Sequence, residues 1–182
     1  MDFNSLINQF QKNPLFSENI ASWQLEAARE CKFYPFPDWL EPGLQEALHI
    51  LGFDSLYSHQ FQALDLIHNG KNVVITTGTA SGKSLCYQLP IVNQILKQGK
   101  STALLMFPTK ALTFDQLKSI DALLNKVGIS TESKVAAVYD GDTPSTQRSA
   151  IRQQARILLT NPDMLNIGIL PHHTNWAAFF EN

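Results

Sequence analysis

Cysteine is scarce: the 182 residues contain two, Cys31 and Cys86, and no CxxC spacing. That excludes a disulfide framework or a cysteine zinc site and suits two reduced thiols. No apolar run approaches the roughly 20 residues needed to cross a bilayer. The opening "MDFNSLINQFQKN" has an acid at position two and no apolar stretch, so no secretory leader is read there and the cytoplasm is the expected location. Histidines number five, and the pair His172–His173 has no cysteine or carboxylate at ligand spacing, which favours a loop pair over a metal site. Charged residues make up 16% and hydrophobic ones 44%, the balance of a globular chain and not of a disordered one.

The net charge of −2 hides an asymmetry. Residues 1–70 hold three Lys/Arg against nine Asp/Glu, whereas residues 71–182 hold eleven against seven. The second part therefore permits a phosphate-backbone partner without demanding one.

Phe3, Leu6, Ile7 and Phe10 have the spacing of one amphipathic helix. The turn-rich "FYPFPDWLEPGL" marks a boundary, giving an N-terminal helical extension at 1–35 and a second domain at 36–182. In that domain Pro42 suits the first turn of a helix that Gly52 stops. Ser58 and Gly70 frame another helix as N-cap and C-cap.

From Lys71 the rhythm changes. "NVVIT", "TALLMF", "KVAAVY" and "ARILLT" are short apolar runs, and between them lie "KSLCYQLPIVNQILK", "ALTFDQLKSIDALLNKV" and "PSTQRSAIRQQ" at helical spacing. Strands apolar on both faces, each followed by a helix, predict an α/β fold with a mostly parallel sheet covered on both sides. Ligands on such sheets sit at the carboxyl ends of the strands, which singles out the loops after Thr76, Phe107, Tyr139 and Thr160.

The first of these loops is "TGTASGKS", Thr77 to Ser84. It fits the phosphate-binding pattern GxxxxGK[ST] except for Thr77 in place of the first glycine. Thr77, Gly78, Thr79, Ala80, Ser81 and Gly82 would offer backbone N–H groups to the phosphates at a helix N-terminus. Lys83 would reach the β- and γ-phosphates, and the Ser84 hydroxyl would help hold Mg²⁺.

The remaining strand-end loops are "PTKALTFDQ", "YDGDTP" and "TNPDML", and "LYSHQ" stands upstream of the phosphate loop. With these in that order, the chain resembles the first motor domain of a superfamily-2 helicase of the DExH/DEAD-box class, a RecA-like P-loop NTPase fold. "LYSHQ" is similar to the Q motif, "TGTASGKS" to motif I, "PTKAL" to motif Ia and "TNPDML" to motif Ib. The combination is most similar to the MrfA (YprA)-like branch and its fungal RecQ-like relatives, where Thr77 is tolerated.

The resemblance implies ATP and Mg²⁺ as cofactors, with Gln60 reading the adenine edge. It implies that Pro108, Thr109, Lys110, Thr160 and Asn161 grip the backbone of one nucleic-acid strand, DNA or RNA, with Asp163 organising its loop. Gly141 would either admit a backbone phosphate closely or serve a plain turn. DNA, repair and 3′-to-5′ travel follow from the branch alone.

A motor of this class also needs a DExH or DEAD acid pair, and no adjacent Asp–Glu pair occurs in the sequence. The chain is therefore expected to be the N-terminal portion of a larger helicase, short of the DExH motif and of the rest of its machinery, binding ATP without turning it over. Two alternatives stand beside this reading: another P-loop NTPase or kinase, and a non-catalytic nucleotide- or nucleic-acid-binding module.

Overall fold

The computed structural model describes residues 2–24 and 30–181. The chain divides into two compact units, residues 1–31 and 32–182. In the first, α1 (Phe3–Lys12) and α2 (Pro14–Ser17) meet at Asn13, whose side chain accepts the Leu15 N–H at 3.1 Å while Pro14 opens the new helix. On the apolar stripe of α1, the Phe10 ring meets that of Phe16 edge-on at 5.0 Å.

The second unit begins with a two-residue ladder. β1 (Phe33–Tyr34) pairs antiparallel with β2 (Leu56–Tyr57), so these residues belong with the second unit and not with the helical extension. α3 (Pro42–Ile50) starts on its proline and buries Leu44, Ala47 and Leu48. α4 (Ser58–His68) has Tyr57, not Ser58, as its N-cap, because Gln60 reaches back to accept the Tyr57 N–H at 2.8 Å. It stops at Gly70 (φ +71°), where Lys71 N–H returns to the Leu66 carbonyl at 2.9 Å.

Strands and helices then alternate as the sequence rhythm predicts. They are α5 (Ser84–Lys97), β3 (Ala103–Met106), α6 (Lys110–Lys126), β4 (Ala136–Val138), α7 (Ser145–Gln154) and β5 (Ile157–Thr160). α8 (Pro162–Met164), a π-helical turn at Leu165–Ile169, a 3₁₀ stretch at Leu170–Trp176 and α9 (Ala177–Phe180) follow. His172 and His173 lie exposed in the 3₁₀ stretch. α5 runs through Pro90 because one face, with Cys86, Leu89, Val92 and Ile95, is held in the core.

The three long-range strands form a parallel sheet in the order β3-β5-β4, with Leu104 and Ala137 both registered on Leu158. All four residues of β5 are buried. Successive side chains point to opposite faces. Ile157 and Leu159 therefore join α3, α5 and α6 on one side, while Leu158 joins Tyr139, Ile151, Trp176 and Phe179 on the other. Covering both faces is what makes the strands continuously apolar.

One expected strand does not form. "NVVIT" has no ladder partner among the described residues, and Val74 is 89% exposed. β-branched residues favour a pleated strand only where a neighbour supplies the other half of the hydrogen bonds. No described helix is long and apolar enough to cross a membrane.

Candidate functional site

The phosphate loop is folded back on itself. Lys83 Nζ donates to the Thr77 carbonyl at 2.8 Å, to the Gly78 carbonyl at 2.5 Å and to Ser81 Oγ at 3.3 Å. The Thr77 and Ser81 hydroxyls are 2.7 Å apart, a staple across the loop that glycine at position 77 could not make. Thr79 and Ala80 lie exposed at its crown, and Ala80 takes a left-handed φ of 57°.

Gly82 is needed twice. Its φ is +74°, and an added Cβ would stand 2.6 Å from Gln60 Nε2. Gln60 itself is 2% exposed. Its carbonyl takes the Tyr57 N–H, and its amide donates to the Gly82 carbonyl at 2.9 Å. The side chain expected to face adenine thus sutures the start of α4 to the phosphate loop.

Ser84 opens α5, and Cys86 follows it in the core. Burial pushes the Cys86 thiol up, partly offset by the nearby Lys83 charge, which makes it a poor nucleophile.

The three loops after the strands lie side by side. Phe107 N–H extends the sheet ladder to the Thr160 carbonyl at 3.0 Å, and Tyr139 N–H does so to Leu159 at 2.8 Å. Thr109 caps α6 through its hydroxyl, which accepts the Leu112 N–H at 3.3 Å; Pro108 and Lys110 beside it are exposed. Lys110 pairs with Asp142 of the neighbouring loop, a hydrogen bond that raises the lysine pKa although both groups are open to solvent. Asn161 caps α8, its side-chain oxygen accepting the Met164 N–H at 2.7 Å, and Asp163 is exposed.

Thr160 departs from the sequence expectation. It has no exposed surface, and its hydroxyl donates to the Tyr139 carbonyl at 2.7 Å. A side chain so placed braces two loops and presents nothing to a polynucleotide. Gly141 is exposed, and an added Cβ would meet nothing within 4 Å, so its surroundings ask for no glycine.

Sequence reasoning missed Arg148. Its guanidinium lies over the Tyr139 ring at 5.2 Å and donates to the carbonyls of Thr143 at 3.0 Å and Asp140 at 3.2 Å. Asp140 is buried and accepts the Asp142 N–H at 3.0 Å, so the "YDGDTP" turn is held from inside and behind. An arginine four places beyond a proline carries no motif; only folding α7 against the turn reveals it.

The helix after the phosphate loop reaches the end of β3. Tyr87, in the first turn of α5, lies beside Phe107, the residue that leaves β3, with ring centroids 6.4 Å apart. The helix that the phosphate loop opens thus lies beside the carboxyl end of β3, next to the row of strand-end turns.

The DEAD/DEAH box helicase profile matches residues 57–181, more than half of the chain. The chain belongs to that helicase family. It is 41% identical over 166 residues to an uncharacterised ATP-dependent helicase, YprA, of Bacillus subtilis, covering 91% of this chain and 22% of that protein. It is 46% identical over 126 residues to the ATP-dependent helicase HRQ1 of Saccharomyces cerevisiae, covering 69% of this chain and 12% of that one. Among solved structures, the DUF1998 helicase MrfA bound to DNA and AMPPNP superposes on all of this chain and 25% of its own, with a TM-score of 0.90 at 38% identity. The chain therefore spans about a fifth of the YprA relative and a quarter of the MrfA chain, and a RecA-like helicase fold accounts for its architecture.

Proposed function

We propose that this chain is the ATP-binding portion of an ATP-dependent DNA helicase. In this reading, residues 77–84 bind the phosphates of ATP, and Gln60 faces the adenine. Pro108, Thr109, Lys110, Gly141 and Asn161 line the path of one DNA strand, with Thr160 bracing the loops that carry them. The observation that carries the reading is a lysine-closed loop at the start of a helix that lies beside β3, next to three strand-end turns, two of which cap their helices through Thr109 and Asn161.

Helix N-termini, hydroxyls and one lysine suit phosphates and read no bases. DNA is favoured over RNA because MrfA was solved with DNA; repair and 3′-to-5′ travel rest on kinship with that branch.

Mg²⁺ fits the residues present. It is a hard cation that keeps several waters and is held with substrate phosphates, not by a dedicated cage of side chains. The described residues contain no cluster of three His, Cys, Asp or Glu, and Ser84 at the helix start offers a hydroxyl oxygen. Ser84 would hold the ion, which when bound neutralises charge on the phosphates. Lys83 supplies the fixed positive charge, and the α5 amides orient the phosphate chain.

The decisive experiment is Lys83→Ala with two binding measurements. Removing a charge-assisted contact worth about 1.5–3 kcal/mol weakens a fluorescent ATP analogue by roughly ten- to a hundredfold. Binding of a single-stranded oligonucleotide persists. Unchanged nucleotide affinity would refute the assignment of the loop.

A further inference from the structure

Between the phosphate loop and the strand-end turns lies a polar contact that neither site explains. Tyr87 sits three residues after Ser84, on the same side of α5. Its hydroxyl donates to Gln116 Oε1 at 2.5 Å. Gln116 lies on α6, about two turns beyond the Thr109 cap. The same oxygen accepts from Gln88 Nε2 at 3.2 Å, and the Gln88 amide exchanges hydrogen bonds with Ser119 Oγ in both directions, each at 3.2 Å. Gln88 is 2% exposed. Four polar side chains therefore lock α5 to α6 where apolar residues of similar size would hold the helices together at little or no loss of stability. What such a network adds is a single relative position of the two helices.

We propose that Tyr87 is a positioning residue linking nucleotide occupancy to strand binding, through its hydrogen bond to Gln116 and its ring beside Phe107. This rests on the assignment of the two sites above. On one side, Tyr87 meets the ATP loop. It stands one turn beyond Ser84, in the first turn of the helix that the loop opens.

On the other side, Tyr87 meets the DNA turns. Phe107 leads directly into Pro108 and Thr109, and its N–H is bonded to the Thr160 carbonyl. A nucleotide that draws the start of α5 toward its phosphates therefore moves the phenol, and the phenol bears on both α6 and the end of β3.

The test uses this 182-residue chain and two ligands: a fluorescent ATP analogue with Mg²⁺ and a single-stranded DNA oligonucleotide. Each Kd is measured with and without saturating amounts of the other, and the two ratios must agree because coupling is reciprocal. The wild type should bind each ligand about threefold or more tighter in the presence of the other, and Tyr87→Phe should bring that factor to about one. Gln116→Met, which touches neither ligand, should do the same, and the double variant should lose no more than either single one.

A Tyr87→Phe protein that keeps the wild-type factor overturns the proposal. So does one that only melts at lower temperature or only binds nucleotide more weakly, with the factor unchanged. A wild type that binds both ligands with no coupling sinks the link alone. A wild type that binds neither sinks the site assignment together with it.

Discussion

Lys110 and Asp142 set a single exposed charge pair across two of the strand-end loops. Both are exposed, and their ion pair joins two loops on the rim. In the proposed reading, a DNA phosphate would compete with the Asp142 carboxylate for the same ammonium. Asp142→Asn should therefore tighten oligonucleotide binding severalfold at low salt and steepen its salt dependence, because one more protein cation then displaces a counterion. Fluorescence anisotropy across a salt series checks both, and weaker binding by the variant would refute the competition. Asp121, on α6, illustrates the opposite case, in which burial raises a carboxyl pKa with no compensating partner. An acid whose pKa is raised on folding supports the folded state below the ordinary carboxylate range and loses that support as pH rises through its folded value. Asp121→Asn should then melt higher than wild type at neutral pH, and the gap should close as pH falls below that range. A gap that persists in acid would show that burial of the charge is not the cause.

At the scale of elements, β5 holds the site together. Its side chains alternate between two cores, and its carboxyl end carries Thr160 and Asn161. Leu158→Ala removes a side chain with no exposed surface, and should cost about 2–5 kcal/mol by transfer and cavity terms. Urea denaturation measures that loss, and a change under about 1 kcal/mol would mean that the second core relaxes into the space. The helix starts are equally telling. Thr109 and Asn161 each follow a strand, and each side chain accepts an N–H of the helix it opens. Each cap satisfies one of the amides left unpaired at a helix start, and the proposed strand path runs over these two turns.

At the scale of the whole molecule, what can bind is separable from what can react. Phosphoryl transfer needs a metal-holding acid and a residue that positions the attacking water. No adjacent Asp–Glu pair occurs in the 182 residues. We expect the purified chain to bind ATP analogue and DNA while showing no DNA-stimulated ATP hydrolysis above background in a phosphate-release assay. Robust turnover would require another base and overturn this view of the inventory. Much of the molecule was legible beforehand, because its signals are local. The 3.6-residue spacing announced α1, α3, α5, α6 and α7, and "TGTASGKS", "PTKAL" and "TNPDML" stand at helix starts. Other features depend on residues far apart in the chain. "NVVIT" has the composition of a strand but lacks a partner, and Thr160, read as a contact, turned inward because the Tyr139 carbonyl lies beside it. Arg148 behind its turn and the Tyr87–Gln116 bond were invisible for the same reason. Spacing along one segment determines which helices form and which loops can cradle phosphate, since those hydrogen bonds close within a few residues. Only tertiary packing decides which polar side chains face the rim and which are consumed bracing it, since each such choice depends on a partner from another strand or helix.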